Sequence, residues 1–262
     1  MKMLCLHNKK DIERFLRRNT FLHIYSIGDL DDAFWPSTAW YGLVGNAGLE
    51  AVTLVYYKPG WPVVIALGDE TKPLAELLRL MLRALPRRFY AHLSPGLSPV
   101  LEGDYSIASR APHIKMGFTD PAAIHGASSE SVVKLSKADV GELLGFYETS
   151  YPGNTFMPST LDTGQYFGIR DAEGLVSVAG VHIYSPTFKV AAIGNVATRP
   201  DQRGKGHARA VLAALCRNLA RTVDHIGLNV KADNDAAIRG YRSLGFEVVG
   251  EYEEFSFEEK KP

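Results

Sequence analysis

The chain is poor in cysteine: Cys5 and Cys216 stand alone, with no CxxC and no histidine at zinc spacing. A disulfide framework and a zinc site are therefore excluded, and two reduced thiols are the expectation. Long apolar runs are missing as well. None approaches the ~20 residues of a membrane-spanning helix, and Lys9 to Arg18 is charged and amphipathic where a signal core would be apolar. There is no excess of either charge, since 29 Lys+Arg meet 29 Asp+Glu. The basic surplus of nucleic-acid binders is thus absent. No GxGxxG follows a first strand, and neither a GxxxxGK[ST] loop nor a nucleophile elbow occurs. His7, His23, His92, His113 and His125 are scattered singly and suggest no metal set. These absences leave a soluble cytoplasmic protein with no nucleic-acid and no membrane partner as the expectation.

What is present builds a globular protein. The hydrophobic fraction is 46% of 262 residues, enough for a real core in one large domain or two of ordinary size. In the first half, Ile12, Phe15 and Leu16 share a helical face. Strands are expected at Ala39–Val44, Leu49–Tyr57, Pro62–Leu67 and Phe89–Leu93. The separators Gly45–Gly48 and Lys58-Pro59-Gly60 are turn chemistry. Leu74, Leu77, Leu78, Met81, Leu82 and Leu85 form one stripe of a helix over Thr71–Leu85. Asp104–Phe118 reads as extended, interrupted at Pro112. The small, polar stretch Asp120–Glu130 is the linker candidate. It separates an N-terminal α/β domain, residues 1–125, from a second domain, residues 130–262.

The second half alternates differently. A short strand at Ser131–Leu135 precedes a capped helix with Val140, Leu143, Leu144 and Tyr147 on one face. Strands follow at Gln165–Arg170, Leu175–Tyr184, Lys189–Thr198 and Asp224–Lys231. Helices are expected from the glycine turn to about Arg221 and over Asn234–Leu244. Phe246–Phe257 forms the last strands, and Glu258–Pro262 a frayed tail.

The centre of this half is Gly194 to Leu212, a strand end, a glycine turn and a helix start. Glycine lets backbone approach a ligand closely, and the uncapped N–H groups and macrodipole of a helix start favour an anion, above all a phosphate. The matching turn of the first half, Gly68-Asp69-Glu70-Thr71, is acidic and is not expected to bind the same anion.

Arg203-Gly204-Lys205-Gly206-His207-Ala208 fits in full the pyrophosphate motif of the GNAT superfamily, the coenzyme-A-dependent N-acetyltransferases. Val230 to Phe246, with Asn234, Tyr241 and the Leu244-Gly245-Phe246 ending, is similar to the family's later strand and helix. The resemblance covers Ser131 to Phe257. It implies an α/β (α+β) fold with a mixed, mostly antiparallel sheet flanked by helices. The element order of residues 1–125 is compatible with a degenerate copy of the same fold, giving a tandem.

The resemblance also implies roles. Acetyl-CoA is the cofactor, and Val196, Ala197 and Thr198 would hold its pantetheine arm. The segment Arg203, Gly204, Lys205, Gly206, His207 and Ala208 would hold the pyrophosphate. Asn234 and Ala237 would close the cofactor site, with Asn234 also a plain helix cap. Tyr241 would be the general acid for the leaving thiolate, or a half-buried core tyrosine. Many relatives place a carboxylate base on the fourth strand; here that strand offers Gly194 and Asn195. Glu148, Asp162, His182, Tyr184 and a water chain remain as bases, with Glu148 and His182 kept as candidates. His182 is expected on one strand face with Val178, Gly180 and Tyr184. Asn154, Phe156 and Asn195, with Tyr166 nearby, are candidates for the acceptor pocket. The implied function is transfer of an acetyl or short acyl group to a primary amine, carried by a small molecule or a protein. The alternative is a non-catalytic acyl-CoA-binding module or sensor. A monomer and a homodimer both fit.

Overall fold

The computed structural model describes residues 1–57, 60–126 and 131–260. The expected turn residues Lys58 and Pro59, the linker residues 127–130, and the tail residues Lys261 and Pro262 lie outside them. In chain order the elements are β1 (Lys2–Cys5), α1 (Lys9–Leu16), α2 (Ile24–Gly28), β2 (Thr38–Gly45), β3 (Gly48–Tyr56), β4 (Val63–Ala66), α3 (Thr71–Met81), β5 (Arg88–Leu93) and β6 (Tyr105–Phe118). They continue as β7 (Val132–Lys134), α4 (Val140–Ser150), β8 (Phe167–Asp171), β9 (Gly174–Ser185), β10 (Val190–Thr198), α5 (His207–Leu219), β11 (His225–Lys231), α6 (Asp235–Arg242) and β12 (Phe246–Glu259). Among the described residues no helix is long and apolar enough to cross a membrane.

The chain folds into two compact units. The first contains Met1–Lys115, Val230–Asn234 and the chain from Val248 onward; the second contains Met116–Asn229 and Asp235–Glu247. The division is thus not one cut near residue 125, because the chain re-enters the first unit twice. The linker candidate also differs from expectation over its described part. Pro121–Ile124 makes a 3-10 turn with Ile124 buried, and Arg217 donates to the Ile124 carbonyl at 2.7 Å. The turn residues Pro121, Ala122, Ala123 and Ile124 are apolar, and Ile124 buries itself in the second unit.

In the first unit β1, β2, β3 and β4 are antiparallel neighbours. β4 and β5 are parallel, as they must be when a helix, α3, crosses between them. β12 pairs antiparallel with β5 from Glu253 to Glu258. The α3 stripe of Leu74, Leu77, Leu78 and Met81 packs with Leu43, Val55, Phe89, Leu93, Phe255 and Phe257 in one core. β1 was not anticipated; its residues are mostly exposed, so it carries no strong alternation. Pro112 does not interrupt β6: it lacks only a donor, and its carbonyl still accepts from the Ala232 N–H at 3.0 Å. The expected final strands are one strand, and Glu258 and Glu259 end it rather than fray. Lys260 is held by its N–H on the Asp104 carbonyl and its Nζ on the Glu102 carbonyl.

This unit also buries charge. Lys115 lies with its Nζ 4.9 Å from the Tyr252 ring and 5.0 Å from the Tyr25 ring. Burial, opposed by the nearby Glu254 carboxylate, pulls its ammonium down to about 7. Tyr252 donates to Glu254 at 2.6 Å, and the Nε2 atoms of His92 and His113 lie 3.5 and 3.7 Å from the same carboxylate. Asp29, at the C-cap of α2, is 6% exposed, and burial alone pushes its carboxyl up to about 7.

In the second unit β7, β8, β9 and β10 are antiparallel and β10 runs parallel to β11. α5 makes the crossover. Its buried stripe of Val211, Leu212, Leu215, Cys216 and Leu219 faces the sheet. Burial pushes the Cys216 thiol up to about 12, so packing explains it. Phe246 and Leu244 seal the unit beside Phe118.

Candidate functional site

The β10–β11 ladder runs from Val190↔His225 to Ile193↔Leu228, whereas β10 continues to Thr198 against β9. Two register shifts interrupt the β9 pairing, one at Ala192/Ile193 and one between Gly194 and Ala197. The second is a bulge containing Asn195, which sits at φ +53. Asparagine tolerates this left-handed conformation better than most residues. Val196 in the bulge and Thr198 beyond it are partly exposed, and Ser177 Oγ donates to the Ala197 carbonyl at 3.1 Å.

The chain then turns into α5. Gly204 and Gly206 have φ +77 and +83 and are exposed, and a Cβ on either would meet nothing within 4 Å. Glycine is needed here for the backbone conformation, and the space beside it is open. Gly206 caps α5 without any side-chain hydrogen bond. The first helical bond across the cap runs from the Ala210 N–H to the Gly206 carbonyl at 3.1 Å. The N–H groups of His207, Ala208 and Arg209 therefore precede helical pairing, and they point where the macrodipole is positive. Arg203 Nε donates to the Thr198 carbonyl at 3.3 Å and Lys205 Nζ to Gln202 at 2.8 Å. Both cations stay exposed, which leaves them available to an anion. Arg199 fixes the base of the turn: it bonds Asp171 at 2.7 Å and Asp201 at 2.8 Å. Arg209 anchors the first turn of α5 to the Ser243 carbonyl at 2.7 Å. Neither arginine stood out in the sequence, because nothing local marks a surface arginine as a clamp.

On the other side of the bulge lies an aromatic group. Tyr147 of α4 donates to the Asn195 carbonyl at 2.7 Å. Asn195 Nδ2 donates to the Tyr166 hydroxyl at 3.0 Å, which donates onward to the Val181 carbonyl at 3.2 Å. The Asn195 Oδ1 atom is buried without a protein partner. Phe156 packs against Tyr147 and Tyr166 with ring centroids 5.1 and 5.6 Å away. Burial raises both phenols above their ordinary range, so both are neutral donors. Tyr147, read as one residue of a core stripe, thus belongs to this group; only its partner across the fold reveals it.

The remaining candidates fall as follows. The Asn154 carboxamide is used inside its loop, donating to the Tyr151 carbonyl and accepting from the Phe156 N–H, both at 3.0 Å. Glu148 is exposed on α4, turned away from the side on which Tyr147 is buried. Asp162 is exposed and paired with Lys137 at 2.6 Å. The His182 ring covers Gly194 so closely that a Cβ there would lie 2.0 Å from it. His182 lies on the face of Gly180, which pairs with the Gly194 it covers, but Tyr184 does not: the register shift between Val181 and Ile183 turns it to the other face, where its hydroxyl reaches Thr222 at 3.0 Å. Tyr241 of α6 is half-buried, edge-on to Phe246 at 5.8 Å. Burial pushes its phenol well up, with Tyr151 and Cys216 close enough to add to the effect. Ala237 is half-buried on the same helix. Asn234 belongs to the segment assigned to the first unit, and its N–H bonds the Lys231 carbonyl.

Residues 134–246 match the model of the acetyltransferase (GNAT) family. An uncharacterised protein of Mycobacterium leprae (strain TN) is 37% identical over 87 residues, which is 32% of this chain and 23% of that one. The match therefore spans about a quarter of that relative's length. An acetyltransferase from the GNAT family of Colwellia psychrerythraea has a similar fold over 98% of this chain and 100% of its own, at TM-score 0.59 and 13% identity. A tandem GNAT protein from the clavulanic acid biosynthesis pathway, in its form without AcCoA, covers 100% of this chain and 99% of its own, at TM-score 0.55 and 14% identity.

Proposed function

We propose that the chain moves an acetyl or short acyl group from acyl-CoA to a primary amine, a reading supported by the match of residues 134–246 to the acetyltransferase (GNAT) family model. The observation that carries this reading is the join of an open β10 edge to an exposed, uncapped glycine turn. Backbone groups of Val196 and Thr198 suit an extended amide-bearing arm. The N–H groups from Arg203 to Ala208, with the cations of Arg203 and Lys205, suit a pyrophosphate. Bound there, acyl-CoA supplies an activated thioester.

The chain's own contribution is placement and proton handling. Tyr241 keeps its phenol proton, since burial opposes the phenolate. It is therefore a neutral hydrogen-bond donor that can stabilise the charge on a departing thiolate. Asn195, pinned by Tyr147 and Tyr166, orients the acceptor end of the site without carrying charge. The amine proton leaves through His182 or water, because Glu148 faces solvent and Asp162 is paired. The missing strand carboxylate also favours the second reading, a non-catalytic acyl-CoA sensor.

Thiol release from acetyl-CoA with a mixed amine panel, wild type against Tyr241→Phe, separates the two. Transfer is expected for the wild type, with kcat lower by ~10²-fold or more in the variant and coenzyme A affinity unchanged. Tight cofactor binding with no transfer to any amine would establish the sensor instead.

A further inference from the structure

Resting on the transferase reading, we infer that the acceptor is a monoamine carried on an uncharged aromatic body, and that polyamines, aminoglycosides and free amino acids are poor acceptors. No residue from Thr149 to Leu161 carries a charge. This stretch forms the end of α4 and the loop that packs on the Asn195 group. Its Phe156 ring lies against Tyr147 and Tyr166. Tyr151 and Met157 on the same loop stay 44% and 51% exposed. Beneath the loop the Asn195 carboxamide is uncharged and almost fully buried, and its Oδ1 has no protein donor.

Charge complementarity decides the class. A polyamine or aminoglycoside brings several ammonium groups, and each one stripped of water needs a carboxylate or another strong acceptor. The carboxylates nearest in sequence are the solvated Glu148, which can serve one ammonium at most, and Asp162, already paired with Lys137. A free amino acid brings a carboxylate that calls for an arginine or lysine, and this stretch has neither. An aromatic ring meets matching surface: Tyr151, Phe156 and Met157 offer ring faces, edges and a polarizable thioether.

The test uses the full chain with acetyl-CoA and follows thiol release. The acceptors are 2-phenylethylamine and tryptamine on one side, and spermidine, kanamycin and glycine on the other. The expected result is a kcat/KM about tenfold or more higher for the aromatic amines. Tyr151→Ala and Phe156→Leu should raise KM for 2-phenylethylamine while coenzyme A affinity by calorimetry stays unchanged. Preference for spermidine, kanamycin or glycine overturns the inference and leaves the transferase reading standing. Coenzyme A binding without transfer to any amine overturns both. An aromatic preference that neither variant weakens removes this loop as its cause and overturns the inference as well.

Discussion

Tyr147 donates its hydroxyl hydrogen to the backbone carbonyl of Asn195 at 2.7 Å, tying the middle of α4 to the bulge of β10. The bond joins residues that are distant in sequence, and it holds the one strained non-glycine residue of the strand in place. Tyr147→Phe removes the donor but keeps the ring. The buried carbonyl then lacks its partner, which destabilises the fold by about 1–3 kcal/mol. Denaturant unfolding should show that loss. Acyl transfer should fall while coenzyme A affinity holds, because the glycine turn is anchored separately by Arg199 and Arg209. A variant with wild-type turnover would show that the bulge needs no such pin.

Gly206 supports a second prediction. At φ +83, any side chain is strained irrespective of space. Gly206→Ala should cost about 1–2 kcal/mol of stability and weaken coenzyme A modestly. Gly206→Asp carries the same strain and adds a carboxylate beside the proposed pyrophosphate. It should abolish binding in calorimetry. If the two variants bind coenzyme A equally, the charge has no anion to repel and the turn is not the phosphate site.

Asp29 gives a prediction about pH. Its carboxyl is raised from 3.8 to about 7 by burial. A raised carboxyl contributes stability that is fully present below its unfolded value, near pH 3.8, and lost as pH rises through about 7. Asp29→Asn removes that loss, so it should stabilise the protein at pH 8 by up to ~4 kcal/mol. At pH 4 it should change little. Melting temperatures of the two proteins should therefore diverge across that window. A constant difference at every pH would mean that Asp29 has a partner compensating its charge.

Much of the architecture could be read from local pattern. The α3 and α5 stripes, the strands β2 to β5 and β8 to β11, and the glycine turn all announce themselves within a few residues. What stayed hidden has long-range causes. β1 lacks alternation because its residues are mostly exposed. Pro112 reads as a break, yet in a strand it removes one donor and leaves the acceptor in use. His182 reads as one of an alternating row, but the bulge between Val181 and Ile183 cannot be deduced from residue types. The site divides the same way. The glycine turn is contiguous, so it was legible as a turn and a helix start. The aromatic half is assembled from α4, the following loop, β8's approach and β10, so Tyr147 looked like ordinary core until its hydroxyl partner was known. Asn154 looked available, whereas its carboxamide is consumed in bracing the loop.

The return of the chain to the first unit bears on the order in which the protein takes shape. β5 is completed on one side by Glu253–Glu258, and Phe255 and Phe257 fill the core beneath α3. The unit whose residues come first therefore cannot close until the chain has been made as far as Glu258. The second unit lacks only Asp235–Glu247 once Asn229 is in place. It is itself sealed only by Leu244 and Phe246, so both units wait for the same late segment, and until it is made Leu74, Leu77 and Phe89 stay open to solvent or to a chaperone.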